Sequence, residues 1–553
     1  MGLLQLPQEL VIHILCKLDD ISDLLMCRLI CHDLDSVFDA PVLRYRIRLA
    51  KAGMKPGFAS DIPLVDCMRA LEEYQATWCS LPLSGDDYYA APYEDSPHLR
   101  FYGDALPLIR GTRLKIIKPP CAIRGVHSGT WSVDIAAFGP TFRVQRCAID
   151  SSQNLAVICG TAATSQECSQ CHLIALSGTS SPSPSYHPEA AEPVLIMSDY
   201  PKSLEVLIHG DLLGWMLWWH KKHVLNIYNW RTGVLLWQCA FNTYPTSFVF
   251  LDETKLVMIQ AGLLRMYDIG HHTSTTQTTQ TLTPPLLCTL ALPPMAQRVS
   301  RSILTLKCQR PPPTDGSSTI SERDRRFTAF TILFTLPSAT RTSSETYLLV
   351  ISVATLLRCV NTALGGSPSL SNATGPPPVI PWDVWGAPRS CLFRIHEPED
   401  DTRTAYCLSA FGSTCAFAIC NANHPASQDV FVFDFHPLAG LNSEKDDDRE
   451  ILARYIDDQP VVQGPAGRLC EPVCNTLPYQ VVYKRATYSD DMGISMGHRS
   501  IALLEDGLLV VNTMVGWPGD SGCATRGRKG ADESIAGFRI RACLQSRCAF
   551  IVP

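Results

Sequence analysis

The chain has 553 residues, a formal net charge of −6, 46% hydrophobic residues and 18% charged residues. That length predicts several domains or one large repeat domain, and so much apolar material excludes wholesale disorder. The mildly acidic balance supplies no basic patch or stripe, so no nucleic-acid partner is expected.

The N-terminus reads LPQELVIHILCKLDDISDLLMCRLICHDLDSVF from Leu6. Leu10, Val11, Ile14, Leu15 and Leu18 recur at helical spacing. Pro7 sits at the helix start, where its missing N–H costs nothing, and Glu9 suits the positive end of the macrodipole. Asp19 and Asp20 stop this helix; Asp20 or Ser22 can cap a second, striped by Leu24, Leu25, Leu29 and Ile30. A third short helix is predicted from Asp33 through Leu43. Three helices this short bury little core of their own, so they need further packing or a partner.

This run resembles the F-box, the module that joins a substrate receptor to a Skp–cullin–F-box ubiquitin ligase. The resemblance implies an F-box over residues 1–50 that lays apolar side chains into the groove of a Skp-type adaptor, and through it reaches a cullin. It places Leu6, Pro7, Leu10, Ile14, Leu15, Leu25, Ile30, Cys31 and Leu34 against that adaptor. Leu34 stands where the family usually has Trp, three residues after the cysteine, and offers a smaller apolar anchor.

Residues 51–113 are expected to be a helical connector and loop. Pro63 to Trp78 predicts a helix with Leu64, Cys67, Met68, Leu71 and Trp78 broadly on one side. Leu71, Tyr74 and Trp78 also match a Leu-x-x-Tyr-x-x-x-Trp step of many fungal F-box proteins.

From about Leu114, short runs of β-branched and aromatic residues alternate with turn signals, as in an all-β region. The step Asn229-Trp230-Arg231-Thr232-Gly233 reads as a strand end feeding a glycine turn, similar to the punctuation of WD-repeat propeller blades. Asp252 to Lys255 reads as a hairpin turn, with Phe248, Phe250, Leu256 and Met258 directed inward. Arg124-Gly125 before Trp131, Trp385-Gly386 with Arg389, Asp434 to Pro437, Leu477 to Tyr479 and Glu505 to Gly507 extend the likeness to fungal F-box proteins with a propeller-like body.

The expected fold is therefore multidomain. A small all-α F-box of three helices precedes an all-β, propeller-like body over residues 114–515 with disordered insertions, then an irregular tail over 516–553. At roughly 40–45 residues per blade, the body has room for about seven or eight blades. Ser177 to Pro193, Thr273 to Pro285, Pro311 to Arg326 and Gly365 to Pro381, rich in Ser, Thr, Pro or Gly, are read as exposed loops or disordered inserts.

The apolar runs Leu212 to Trp219 and Tyr347 to Leu357 fall short of the roughly 17 residues a membrane-crossing helix needs, so both are expected as buried strands and no membrane partner is expected. Gln8 and Glu9 interrupt the first apolar stretch and no basic segment precedes it, so a location in the cytoplasm, the nucleus or both is expected. The 23 cysteines are scattered singly, as at Cys147, Cys159, Cys239, Cys407 and Cys420, and read as small buried hydrophobes of a reducing compartment.

Several strings imitate chemistry. Cys168-Ser169-Gln170-Cys171-His172 spells a haem-attachment motif or half a zinc site, but it lies in a loop-rich stretch and has no second ligand pair. Gly519-Asp520-Ser521-Gly522 matches a serine-protease string without a histidine-bearing context. Asn372 to Thr374 is a formal glycosylation acceptor that matters only after export. Trp215, Trp218 and Trp219 suit a strand core better than an aromatic binding surface. No catalytic residue, metal or cofactor is expected.

The resemblance thus implies a non-enzymatic receptor whose N-terminal helices bind the adaptor and whose body holds an unknown target protein for ubiquitination. An adaptor-bound scaffold without a ubiquitination role and a β-propeller enzyme stay open as alternatives.

Overall fold

Proline, acid and glycine positions divide the first 80 residues into helices. The computed structural model describes residues 5–18, 20–57, 62–80, 91–92, 105–110, 112–118, 129–162, 168–178, 185–198, 202–219, 222–241, 245–260, 262–270, 284–293, 305–308, 321–323, 328–337, 344–363, 377–395, 404–421, 427–436, 462–463, 470–475, 479–487, 496–503, 508–514 and 537–542. Helix α1 (Gln8–Leu15) starts directly after Pro7, whose carbonyl accepts the amides of Leu10 at 3.0 Å and Val11 at 3.2 Å. It is followed by α2 (Ile21–Ile30), α3 (His32–Val37) and α4 (Pro41–Lys51).

The single helix expected from Asp33 through Leu43 is two helices. Proline cannot continue a helix but suits the first turn of a new one, so Pro41 opens α4 after α3 has ended at Val37. Gly53 closes α4 at φ +71°, a left-handed conformation glycine adopts without a Cβ penalty, and its amide donates to the Ala50 carbonyl at 2.9 Å. Strand β1 (Met54–Pro56) and helix α5 (Leu64–Ser80) follow.

Helix α4 serves two cores. Leu43 and Ile47 pack with Val11, Leu15, Leu24, Leu25 and Leu34, whereas Tyr45 and Leu49 pack with Met54, Cys67, Leu71 and Tyr74. The alternation of the two pairs along one helix fuses the N-terminal bundle to α5.

The rest is strand. β2 (Ala91–Pro92) stands apart from its eventual sheet in sequence. Sheet one holds β3 (Leu106–Arg110), β4 (Arg113–Lys118) and β5 (Gly129–Asp134), so the strand-rich body begins before Leu114. Sheet two is β6 (Phe142–Asp150), β7 (Leu155–Ala162), β8 (Cys168–Ala175) and β9 (Val194–Ser198). Sheet three is β10 (Lys202–His209), β11 (Leu212–Trp219), β12 (Lys222–Asn229) and β13 (Leu235–Phe241).

Sheet four is β14 (Pro245–Phe250), β15 (Lys255–Gln260), β16 (Leu263–Asp268) and β17 (Leu286–Ala291), extended in parallel by β22 (Val379–Ile380). Sheet five takes β18 (Thr305–Lys307), β20 (Ala329–Pro337), β21 (Ser344–Ser352), β23 (Ser390–Ile395) and β28 (Cys470–Asn475). Sheet six takes β24 (Thr404–Phe411), β25 (Thr414–Asn421), β26 (Ser427–Asp434), β29 (Tyr479–Thr487) and β27 (Val462–Gln463). Sheet seven is β30 (Met496–Leu503), β31 (Leu508–Met514), β32 (Gly537–Ala542) and the distant β2. A two-stranded ribbon joins β1 to β19 (Ser321–Arg323).

Successive sheets face one another across apolar layers. Leu114 and Ile116 of sheet one meet Cys147 and Ile158 of sheet two. Sheets two and three share Leu173, Trp215 and Trp230; three and four share Met216, Phe248 and Met258; four and five share Ile259, Phe330 and Leu349; five and six share Phe393, Phe417 and Phe431. The leading strands touch in turn, β6 to β10, β10 to β14, β14 to β18, β18 to β24 and β24 to β30, and β2 of sheet seven touches β3 of sheet one. The order of sheets therefore closes on itself.

Four expectations are corrected here. Tyr347 to Leu357 is half strand and half helix, since β21 ends at Ser352 and Val353–Ala363 is helical, with the Thr355 amide donating to the Ser352 hydroxyl at 3.1 Å. The insert Pro311 to Arg326 carries β19, the insert Gly365 to Pro381 ends in β22, and the tail expected to be irregular supplies β32. β19 and β22 pair with sequence-distant strands, and β32 takes the distant β2 beside its neighbour β31, which local composition does not encode. Arg124-Gly125, Leu477-Pro478, Glu505 to Gly507, Asn372 to Thr374 and Gly519 to Gly522 lie outside the described residues. Among the described residues no helix is long and apolar enough to cross a membrane.

Candidate functional site

The N-terminal bundle shows what a binding face requires: apolar side chains outside a core that is already complete. On α1, Val11 and Leu15 point inward, and Leu15 is 2% exposed. Successive residues turn by about 100°, so Leu10 and Ile14 lie side by side on a neighbouring face, 50% and 42% exposed. On α2, Ile21, Leu24 and Leu25 are buried while Met26, Leu29 and Ile30 are exposed, Ile30 to 69%. Seven of the ten α2 residues, ISDLLMCRLI, are apolar, too many for one stripe. Among the described residues, five of the twelve large exposed hydrophobics fall between Leu10 and Ile30, a concentration isolated surface residues do not explain.

Polar contacts hold these helices without using that face. Arg46 reaches from α4 to the end of α1, donating Nη1 to the Leu15 carbonyl at 3.2 Å and Nη2 to the Leu18 carbonyl at 2.6 Å. The Leu15 carbonyl also accepts the Leu18 amide at 3.2 Å, and the guanidinium adds a charged donor at the negative end of the helix. Arg28 of α2 donates Nε to Asp35 of α3 at 2.8 Å and stands over the Phe38 ring at 5.9 Å. Burial, then the nearby Asp23 carboxylate, pushes the Cys27 thiol up, and burial foremost pushes the Cys67 thiol and Tyr45 hydroxyl up as well. These thiols are poor nucleophiles at neutral pH.

The expected adaptor-facing residues separate into two sets. Leu10, Ile14 and Ile30 are exposed, as is Pro7, while Leu6 and Cys31 are half-buried at the margin of the core. Leu15, Leu25 and Leu34 are 2%, 0% and 4% exposed and belong to the bundle's own core, so their expected role as contact residues is corrected. The leucine at position 34 fills the space between helices and is no outward knob. Sequence reasoning missed Met26 and Arg46; the excess of apolar residues in α2 signals the first, while nothing local signals the second.

The remaining candidate strings resolve into packing. Cys168 to His172 is part of β8 and not a loop. In a strand, residues three apart point to opposite faces, so Cys168 and Cys171 cannot share a metal. Cys171 packs between sheets two and three, while the His172 ring stacks on Phe138, with centroids 4.2 Å apart, toward sheet one. Burial lowers the His172 pKa to about 4. Trp215 is fully buried, donating Nε1 to the Ser203 hydroxyl at 3.2 Å, and Trp218 is half-buried. No group of three or more potential metal ligands occurs among the described residues.

At the turn after β12, the Asn229 carboxamide oxygen accepts the amides of Arg231 at 3.1 Å and Thr232 at 3.0 Å, and Gly233 takes φ +70°. The Trp230 indole is buried and donates to the Gly210 carbonyl at 2.9 Å. Arg231 lies against that ring, 4.6 Å from its centroid, and pairs with Asp211 and Glu189.

No protein-family model matches the chain, and no curated protein matches it. Among solved structures, BamB from Moraxella catarrhalis is similar at 9% identity and a TM-score of 0.31, over 76% of this chain and 92% of that one. Sqt1 from Saccharomyces cerevisiae is similar at 9% identity and a TM-score of 0.33, over 82% of this chain and 97% of that one. Likeness at these scores assigns neither fold nor function.

Proposed function

We propose that the chain is a non-enzymatic substrate receptor of the F-box type. Its N-terminal helices dock on a Skp-type adaptor, and through it on a cullin, while its body holds a target protein. The observation that carries this reading is the exposed set Leu10, Ile14, Met26, Leu29 and Ile30 on helices whose opposite faces already form a core. Such an arrangement suits helix packing into an apolar groove, with i, i+4 anchors on α1 and i, i+3 and i+4 anchors on α2. The body is read as a propeller-like ring of seven sheets; the supporting feature is the order in which the sheets touch and close through β2 and β3.

A receptor of this kind forms no bonds itself. It holds the acceptor lysine and the ubiquitin-charged enzyme in one assembly and so raises their effective concentration. Co-purification of the full chain with a Skp-type adaptor tests the reading. The wild type should retain the adaptor, and the pair Leu10→Glu with Ile14→Glu should lose it while keeping the wild-type circular dichroism. Failure of the wild-type chain to retain adaptor would sink the proposal.

A further inference from the structure

Cys159 of β7 and Cys171 of β8 are partners in the antiparallel ladder of sheet two, and both are fully buried. The phase of that ladder decides how close they stand. The Leu176 amide donates to the Asn154 carbonyl at 2.9 Å, one step before the Leu155–Ala175 pair. Hydrogen-bonded pairs recur at every second position of an antiparallel ladder, so Ala156–Ile174 and Ile158–His172 are bonded pairs and Cys159–Cys171 is a non-bonded one. The other side of β8 agrees: the Leu173 amide donates to the Pro193 carbonyl at 3.0 Å and the Leu173 carbonyl accepts the His187 amide at 2.9 Å, both away from β7. Non-bonded pairs bring their Cα atoms to about 4.5 Å, inside the range of about 4.4–6.8 Å that a disulfide spans.

Both side chains enter the apolar layer between sheets two and three, beside Leu173, Trp215 and Trp230. Among the described residues they are the only cysteines of that layer. Cys147 lies in the layer toward sheet one, and Cys168, three residues before Cys171 on the same strand, points to the opposite face. Each thiol therefore has one partner. Burial first, then a hydrogen bond to Cys171, pushes the Cys159 thiol well up, so the closed sheet keeps it unreactive and exchange waits on local opening of the ladder.

We propose that Cys159 and Cys171 are a latent cross-strand disulfide, a modification site that closes when the chain meets a small disulfide of the glutathione class. The thiolate of one cysteine attacks a sulfur of that reagent, forms a mixed disulfide and expels one small thiolate. The thiolate of the second cysteine then attacks the protein sulfur of the mixed disulfide, forms the Cys159–Cys171 bond and expels the other small thiolate. Two protein thiols are oxidised, one small disulfide is reduced to two thiols, and the two protons end on the thiols released. The bond ties together the two central strands of sheet two without a change of register. It is independent of the adaptor reading.

The test uses the full, reduced chain, incubated in glutathione buffers of increasing oxidised fraction until the products no longer change. Free thiols are blocked under denaturing conditions and the digested chain is mapped by mass spectrometry. A peptide linked through Cys159 and Cys171, lighter by the two thiol hydrogens, should form at a disulfide-to-dithiol ratio at least about tenfold above that of the chain held in denaturant in the same buffer, because the fold holds the two sulfurs together. Far-ultraviolet circular dichroism should stay that of the reduced chain, and Cys159→Ala and Cys171→Ala should each abolish the linked peptide. A linked peptide no more abundant in the folded chain than in denaturant, linkage of Cys171 to Cys147 or Cys168 in its place, or loss of the native signal on closure would overturn the proposal.

Discussion

The helical bundle and the strand-rich body treat apolar residues in opposite ways. In the body, layers such as Phe248–Met258 and Phe393–Phe431 are consumed between neighbouring sheets, and among the described residues the large exposed hydrophobics are scattered, as at Ile196, the pair Val234 and Leu235, and Val379. In the bundle the apolar residues are split: ten form a small core, while the five large side chains of Leu10, Ile14, Met26, Leu29 and Ile30 stand on the surface. The body's described apolar layers are accounted for by its own packing, whereas the bundle leaves large apolar side chains outside its core. That difference is what supports the proposed docking face, since burying one such side chain gives about 1.5–3 kcal/mol that the free chain forgoes.

The sharpest test of this contrast lies in the body. Trp230 is fully buried, makes an edge contact with His187 at 4.9 Å between centroids and donates to Gly210, so Trp230→Ala removes both volume and a hydrogen bond. The expected loss is about 3–5 kcal/mol in denaturant unfolding. A loss below about 1 kcal/mol would mean that the layer between sheets two and three is not a tight core.

Next in size is a pH effect seated between sheets one and two. The His172 pKa lies near 4 in the folded chain because burial disfavours the imidazolium, against an ordinary 6.5 unfolded. Stability from this site is complete above pH 6.5. As pH falls from 6.5 toward 4, the unfolded chain takes up the proton first, and stability declines by roughly 2–3 kcal/mol. His172→Phe, which can keep the stack on Phe138, should flatten this part of the stability–pH curve by one proton. An unchanged slope between pH 6.5 and 4 would assign the titration elsewhere.

How much of this was legible depends on how local the encoding is. Phe248, Phe250, Leu256 and Met258 can be read as inward residues because strand alternation and a hairpin turn lie within a dozen positions, and all four are buried together. The Asn229–Gly233 turn is equally local, written in a carboxamide that caps two amides and a glycine at positive φ. The bundle's stripes were legible as apolar, but hydrophobicity alone does not say which leucine meets its own chain. Leu15, Leu25 and Leu34 went inside while Leu10, Ile14 and Ile30 stayed out, an assignment that helix phase and the α4 packing decide. Least legible were β2, β19 and β28, whose partners lie far along the chain. The exchange of β28 back into sheet five after sheet six has begun has no signature in any window of sequence.

The smallest expected effect is the most informative about the bundle. Leu10→Glu and Ile14→Glu should each change the stability of the free chain by no more than about 0.5 kcal/mol, because surface substitutions break no packed contact. Both positions also lie on α1 away from the buried Val11 and Leu15, and a carboxylate there stays in water. Leu25→Ala, in contrast, opens a void in the bundle core and destabilises it whatever it binds. Thermal unfolding of the three variants without any partner separates the two kinds of leucine. A large destabilisation by Leu10→Glu would place that side chain in an intramolecular contact, and the apolar face of α1 would then be part of the fold and not a surface kept for a partner.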